Sequence, residues 1–221
     1  MENQRQIEFA GDLFVKEAVL AAQQRAWDTV EDIAKSLPAG ITEKDAIEFS
    51  REAFARGGAD KHWHKPVVRF GNKTSKAYPD PFDPEDILQA EDMILLDFAP
   101  VYDGIEADIG KTFLRGHDAE KQKCIDDSRS LWKSMRDAWF NEKLSGRELY
   151  DFGIQASKNL GWVYKMDGAE GHRLSEFPHK LHYEGNLCDR RFHPSPLVWI
   201  LEVHLVDPAQ RFGAFFEDIL I

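Results

Sequence analysis

MILLDFAPVYDGIEADIGKTFLRG, residues Met93 to Gly116, reads as a strand, a tight turn and a second strand, with one aspartate on each arm. Met93 to Leu96 form an unbroken apolar run, and Ile105 to Phe113 alternate apolar with polar. Between them Asp103-Gly104 is a dipeptide that favours a two-residue hairpin turn, because it tolerates positive φ at both central positions. The register decides what the acids can do. If Tyr102 pairs with Ile105, Asp108 faces Ala99, and Asp97 lies one alternate position further along on the same face. Two like charges that close on an apolar ribbon raise each other's pKa and repel unless a cation lies between them. A metal is the simplest remedy.

The end of the chain repeats the design. Leu197 to Val206 is a strongly apolar strand, Asp207 to Phe212 a polar connection, and Gly213 to Ile221 a last strand. If Val206 pairs with Gly213, Glu202 and Glu217 share a face. A carboxylate such as Glu202, set between Leu201 and Val203 in a strand that otherwise buries itself, is costly without a partner. Asp97, Asp108, Glu202 and Glu217 together carry four negative charges, which two divalent cations neutralise, and one nitrogen ligand would complete the set. Such a site suits Mn, Fe, Co or Zn better than a thiolate-type structural zinc site. Two metals about 3.5–4 Å apart activate a water and polarise a carbonyl, which is hydrolytic chemistry.

The surrounding sequence reads as support. Apolar residues from Phe9 to Leu37 recur at helical steps, predicting one amphipathic helix over about Arg5–Leu37, ended by Pro38-Ala39-Gly40. A second helix starts at Thr42 and stops at Gly57-Gly58; Pro66 to Phe70 is a short strand, and Gly71 to Pro84 a loop. His117–Trp139 and Ser145–Leu160 are helical by pattern, their Trp and Met positions assigned to the core. Glycines, prolines and five of the eight histidines then crowd Gly168–His204, among them His172, His179, His182, His193 and His204. The 221 residues are expected to form a single domain, 1–221, around one core. The balance of 28 basic against 39 acidic residues, net −11, disfavours nucleic acid and anionic membranes as partners. Two distant cysteines, Cys124 and Cys188, and the lack of an apolar leader or spanning segment fit a soluble cytoplasmic protein.

Taken together, LLDFAP with Asp97, EADIGKTF with Asp108, GAEGHRLSEFPH with His172, WILEVHL with Glu202 and AFFEDILI with Glu217 resemble, in order, the metal-ligand pattern of the pita-bread metallopeptidases. These include aminopeptidase P, prolidase and methionine aminopeptidase, and the resemblance covers roughly residues 5–221. It implies an α+β pita-bread (creatinase/aminopeptidase) fold, two pseudo-symmetric halves with an antiparallel sheet and outer helices. It also implies a dinuclear metallopeptidase, with two divalent ions (Mn or Co first, Zn or Fe next) and a peptide substrate. Asp97 would chelate one metal, Asp108 and Glu217 would bridge both, and His172 and Glu202 would complete the other. Glu202 would take a proton from the attacking water, and His179 would hydrogen-bond the substrate. A homodimer is implied by analogy.

The chain departs from the family in places. Lys111-Thr112 stands where an Arg-Thr pair is usual, losing the planar guanidinium fork. Arg173-Leu174-Ser175 replaces a glycine-rich run, and His179-Lys180 replaces His-Glu. The substrate-contacting histidine upstream of the first metal strand is missing from Ala77-Tyr78-Pro79; His62 or His64 could reach the site instead, although a histidine in such a polar segment is more often exposed. His182, His193 and His204 read as structural and Cys188 as a small buried residue. The wording LLDFAPVYDG is nearest the Xaa-Pro group, so the expected activity is an Xaa-Pro aminopeptidase or dipeptidase. Methionine aminopeptidase, single-domain in its short form, is the alternative, and a non-catalytic peptide- or protein-binding relative is the reading from another class.

Overall fold

Antiparallel pairing around Asp103-Gly104 builds the centre of the main sheet. The computed structural model describes residues 3–76, 78, 80–81, 84–175, 183 and 185–221. In chain order its helices are α1 (Gln4–Ile7), α2 (Lys16–Ser36), α3 (Glu43–Arg56), α4 (Ala119–Glu142) and α5 (Gly146–Leu160). Its strands are β1 (Lys61–His62), β2 (Val67–Phe70), β3 (Asp92–Phe98), β4 (Pro100–Tyr102), β5 (Ile105–Glu106), β6 (Ile109–Arg115), β7 (Val163–Tyr164), β8 (His172–Arg173), β9 (Trp199–Val206) and β10 (Gly213–Ile219).

Both hairpins take the register their turns predict. Asp103 and Gly104 have φ of 53° and 77°, the left-handed pair of a two-residue hairpin turn, and Tyr102 pairs with Ile105. The same register runs on into β3 and β6, where Phe98 is opposite Ile109 and Asp97 opposite Gly110. The ribbon changes sheet on the way: β1, β4 and β5 form a small sheet, and β3 and β6 join the large one in the order β2-β3-β6-β10-β9-β7, with β8 also on β9. In the second hairpin Gly213 pairs with Val206 and Glu217 sits directly opposite Glu202.

Alternation then sorts the side chains. Ile94, Leu96 and Phe98 of β3 join Val68, Phe70 and Ile109 in a core beneath α2 and α3. Leu201, Val203, Leu205 and Phe216 pack with Trp132, Met135, Trp139 and Leu149 of α4 and α5. Helices therefore cover one face of the sheet in both halves, and the acids occupy the other face. Asp118 caps α4, and Ser145 with Glu148 forms a capping box on α5, which ends at Gly161 with φ 86°.

The single helix expected over Arg5–Leu37 is corrected. α1 ends at Ile7 and α2 begins at Lys16, with Gly11 at φ 83° between them. Distant contacts override the helical periodicity here. The Glu8 carboxylate accepts from Ser195 N (2.7 Å), Ser195 Oγ (2.7 Å) and Trp199 Nε1 (2.8 Å), and Phe9 O accepts from Arg173 Nη2 (2.5 Å), which ties Glu8 and Phe9 to the C-terminal half. The first part of the expected Gly71–Pro84 loop is a 3-10 helix, Gly71–Ser75. The two-residue strands β1, β7 and β8 are too short to leave a pattern in the sequence. Among the described residues no helix is long and apolar enough to cross a membrane.

Candidate metal centre

Four strands line up the acids. Asp97 on β3 is opposite Gly110 on β6, Gly110 is opposite Glu217 on β10, and Glu217 is opposite Glu202 on β9. Direct cross-strand partners share a face, so one row across the sheet reads Asp97, Gly110, Glu217, Glu202. One alternate step along, Asp108 precedes β6 on the same face, and His172 of β8 is opposite Ile200, two residues before Glu202. All five residues expected from the sequence are thereby brought together.

Side-chain atoms close the geometry. His172 Nε2 lies 3.2 Å from Asp108 Oδ2. Candidate donor atoms of Asp108, His172 and Glu217 all lie within 4.8 Å of one another, as do those of His64, Asp97 and Asp108. Gly110 makes the row possible, because a Cβ there would meet Glu217 Oε1 at 2.6 Å and the Phe215 ring at 2.5 Å. Gly171 is needed for another reason: with φ 68° its N–H donates to Glu202 Oε2 (2.5 Å), and a Cβ would strike Tyr150 Oη at 2.6 Å and Ile200 O at 2.8 Å.

The backbones of two acids are held from behind. Gln23 of α2 donates from Nε2 to Asp108 O (2.7 Å) and to Asp218 Oδ1 (2.7 Å), and its Oε1 accepts from Asp108 N (3.2 Å). Tyr164 Oη donates to Glu202 O (2.6 Å), and Tyr150 Oη accepts from Glu202 N (3.3 Å). Glu106, also buried, accepts from Ser175 N at 2.7 Å. Gln23, Tyr150, Tyr164 and Glu106 carry no motif; alternation within EADIG places Glu106 on the same side as Asp108, and that was the one signal for it.

Electrostatics show what the cluster lacks. Burial together with Asp97 and Asp108 holds Glu217 well above the carboxylate range, and burial raises Glu202 to about 7 against the pull of His172 and the Gly171 N–H. Burial and Asp108 raise Glu106 to about 7. Burial would raise Asp108 too, but His172 and His64 outweigh it and hold Asp108 at about 2. Burial would lower His172, yet Asp108 carries it to about 10. Among the described residues neither Asp108 carboxylate oxygen nor Glu217 Oε1 has a hydrogen-bond partner. Buried carboxylates whose nearest polar neighbours are one another and imidazole nitrogens fit a divalent cation of the Mn, Fe, Co or Zn type.

His64 settles the choice the sequence leaves open between His62 and His64. Instead of standing exposed it places Nε2 3.2 Å from Asp97 Oδ1 and 3.5 Å from Asp108 Oδ1. Burial opposes its protonation and the two aspartates override that, holding its pKa well above the ordinary value. The signal was positional: Val67, just after Pro66, pairs with Asp97, so the residues before the proline must run past the end of that strand. His62 instead packs on Phe54 and Phe98. His179 and His182 lie outside the described residues. His193 stacks on Trp139, and buried His204 contacts Thr74 O through Nε2 at 2.8 Å, so both serve the frame. Burial raises the Cys188 thiol to about 11, which suits a packing residue. Lys111 leaves the site altogether, its Nζ lying 2.6 Å from Glu31 Oε1 on α2. The acids open into a cavity of about 270 Å³, walled beyond them by Trp63, Tyr78, Gly168, Glu170 and Asn186.

The model of metallopeptidase family M24 matches residues 17–221. No curated protein sequence matches the chain. The X-Pro aminopeptidase from Thermotoga maritima MSB8 is similar in structure, with a TM-score of 0.73 and 16% identity over 94% of this chain and 59% of that one. The prolidase from Pyrococcus furiosus gives 0.71 and 16% over 93% and 61%, and the Xaa-Pro dipeptidase from Bacillus anthracis 0.70 and 18% over 94% and 58%. The chain spans about three fifths of the length of these structures, and at such identities the likeness establishes the α+β pita-bread fold. With that fold in place and nearly the whole length matched by the family model, the chain belongs to metallopeptidase family M24.

Proposed function

We propose that this protein is a metal-dependent exopeptidase that hydrolyses the N-terminal peptide bond of peptides, of the Xaa-Pro aminopeptidase or dipeptidase type. Asp97, Asp108, His172, Glu202 and Glu217 would hold two divalent ions. The observation that carries the reading is the row of Asp97, Gly110, Glu217 and Glu202 across four strands, with Asp108 and His172 one step along. When bound, the metal pair supplies Lewis acidity toward the scissile carbonyl and the attacking water.

The chain supplies proton transfer and orientation. Glu202, aimed by the Gly171 N–H, would accept a proton from water and return it to the leaving amine. Glu170 on the cavity wall gives an acidic surface that suits a free, positively charged amino terminus. His179 is assigned to the substrate by its place after His172. The Xaa-Pro preference is supported by the LLDFAPVYDG wording and by the names of the similar structures.

The test is release of the N-terminal residue from paired Xaa-Pro-Xaa and Met-Ala-Xaa peptides, using chelator-treated protein with Mn or Co restored. Metal-dependent cleavage ahead of proline is expected. Cleavage after methionine alone would move the assignment to methionine aminopeptidase. Failure on both peptides by protein that binds metal would mean that the altered surroundings of the site take a different substrate, whereas protein that binds no metal would favour the non-catalytic reading.

A further inference from the structure

The two oxygens of the Asp108 carboxylate each face a different imidazole. Oδ2 lies 3.2 Å from His172 Nε2, and Oδ1 lies 3.5 Å from His64 Nε2, which is also 3.2 Å from Asp97 Oδ1. The other ring nitrogens match as well. His64 Nδ1 is 2.8 Å from the carbonyl of Lys65, and His172 Nδ1 is 3.3 Å from the carbonyl of Arg173, in each case the next residue along. A carbonyl can only accept, so Nδ1 carries the proton in both rings, and in the neutral form Nε2 presents its lone pair to the acids. That tautomer, fixed by a backbone carbonyl, is the arrangement of a metal-ligating histidine. Donors bound about 2.1 Å from one ion at right angles lie about 3 Å apart, so the spacings of His64 to Asp97 and Asp108 suit donors that share an ion. An edge-on contact with Tyr78, ring centroids 5.7 Å apart, steadies the His64 ring.

We infer that His64 is a sixth ligand, so that each of the two metals carries one imidazole: His64 with Asp97 and Asp108 on one side, His172 with Asp108 and Glu217 on the other. This rests on the two-metal reading above and goes beyond its five-residue set. A nitrogen donor on the Asp97 side moves that position from an all-oxygen site, suited to Mg or Mn, toward one that prefers Co or Zn.

The experiment uses the full chain, chelator-treated and reloaded with Co(II), and compares wild type with His64→Phe, which keeps the aromatic contact to Tyr78, and with His64→Ala. Calorimetry reads the number and affinity of bound ions, and proton NMR of the Co(II) protein reads hyperfine-shifted imidazole rings. Wild type is expected to bind two ions and show two shifted imidazole sets. The His64 variants should lose one set and bind one of the two ions at least tenfold more weakly. Two ions with one shifted set, unchanged in either variant, would overturn the sixth ligand while leaving the two-metal reading intact. No Co(II) bound by wild type would remove the two-metal reading itself, and with it the inference. The wild-type spectrum decides the matter even where a variant fails to fold.

Discussion

The two halves of the sheet present their acids differently. In the C-terminal half Glu202 and Glu217 are direct cross-strand partners; in the N-terminal half Asp97 faces Gly110, and the second acid, Asp108, stands two residues further along. Gly110 is also opposite Glu217, so it separates the two pairs. The missing side chain lets Glu217 reach toward Asp108 and His172, with which its donor atoms group. The supports behind the acids differ too. Asp108 is held at both N–H and C=O by a single amide, Gln23, whereas Glu202 is held by two tyrosine hydroxyls. A symmetric pattern of acids thus depends on asymmetric parts, and each part can be removed singly.

The largest effect should follow from filling the gap. In Gly110→Ala the added Cβ would meet Glu217 Oε1 at 2.6 Å, and the carboxylate must swing out of the row. Metal affinity is expected to fall by about 100-fold or more, the cost of displacing a ligand by an ångström, with calorimetric Mn or Co binding as the readout. Retained affinity would show that the row tolerates a side chain at its centre. Next comes Gln23→Leu, which strips partners from the buried N–H and C=O of Asp108 and should cost about 2–4 kcal/mol in urea unfolding. Tyr164→Phe removes one hydroxyl from a carbonyl that Tyr150 still approaches at 3.4 Å; about 1–2 kcal/mol is expected. Equal costs for the two variants would erase the asymmetry between the supports.

How much of this could be read from the chain follows from the range of each signal. The hairpins were legible because period-two alternation and an Asp-Gly turn act within a few residues, and the register they set carries Asp97, Asp108, Glu202 and Glu217 to one face. The break after α1 was not, because the partners of Glu8 lie at Ser195 and Trp199, 187 and 191 residues away. His64 could not be told from His62 as the histidine that reaches the site, for a related reason. Its neighbours are polar, and only the pairing of Val67 with Asp97 reveals where the preceding residues go. Gln23 carries no motif, and its role exists only once α2 lies across the back of Asp108.

A smaller effect tests whether buried acids outside the row behave as those within it. Glu43, at the first turn of α3, is fully buried; its Oε1 accepts from Phe70 N at 2.9 Å, which ties α3 to the edge strand β2. Burial, helped by Asp86, raises its pKa from 4.5 to about 7, although the Phe70 N–H pulls the other way. The folded state therefore binds more protons than the unfolded state between those values, and stability falls as pH rises from about 4.5 to 7. Below that window both states are protonated and above it both are ionised, so the loss is complete near pH 8. Arg69 and Lys73, which pull the other way, keep its size to on the order of 1 kcal/mol. Glu43→Gln keeps an oxygen acceptor for Phe70 and removes the charge. Its stability relative to wild type should rise by that amount between pH 4.5 and pH 8, read as the difference in urea midpoints, in which the titration of the row cancels. A flat difference would mean that Glu43 ionises at its ordinary value, and that the raised pKa values belong to the clustered acids alone.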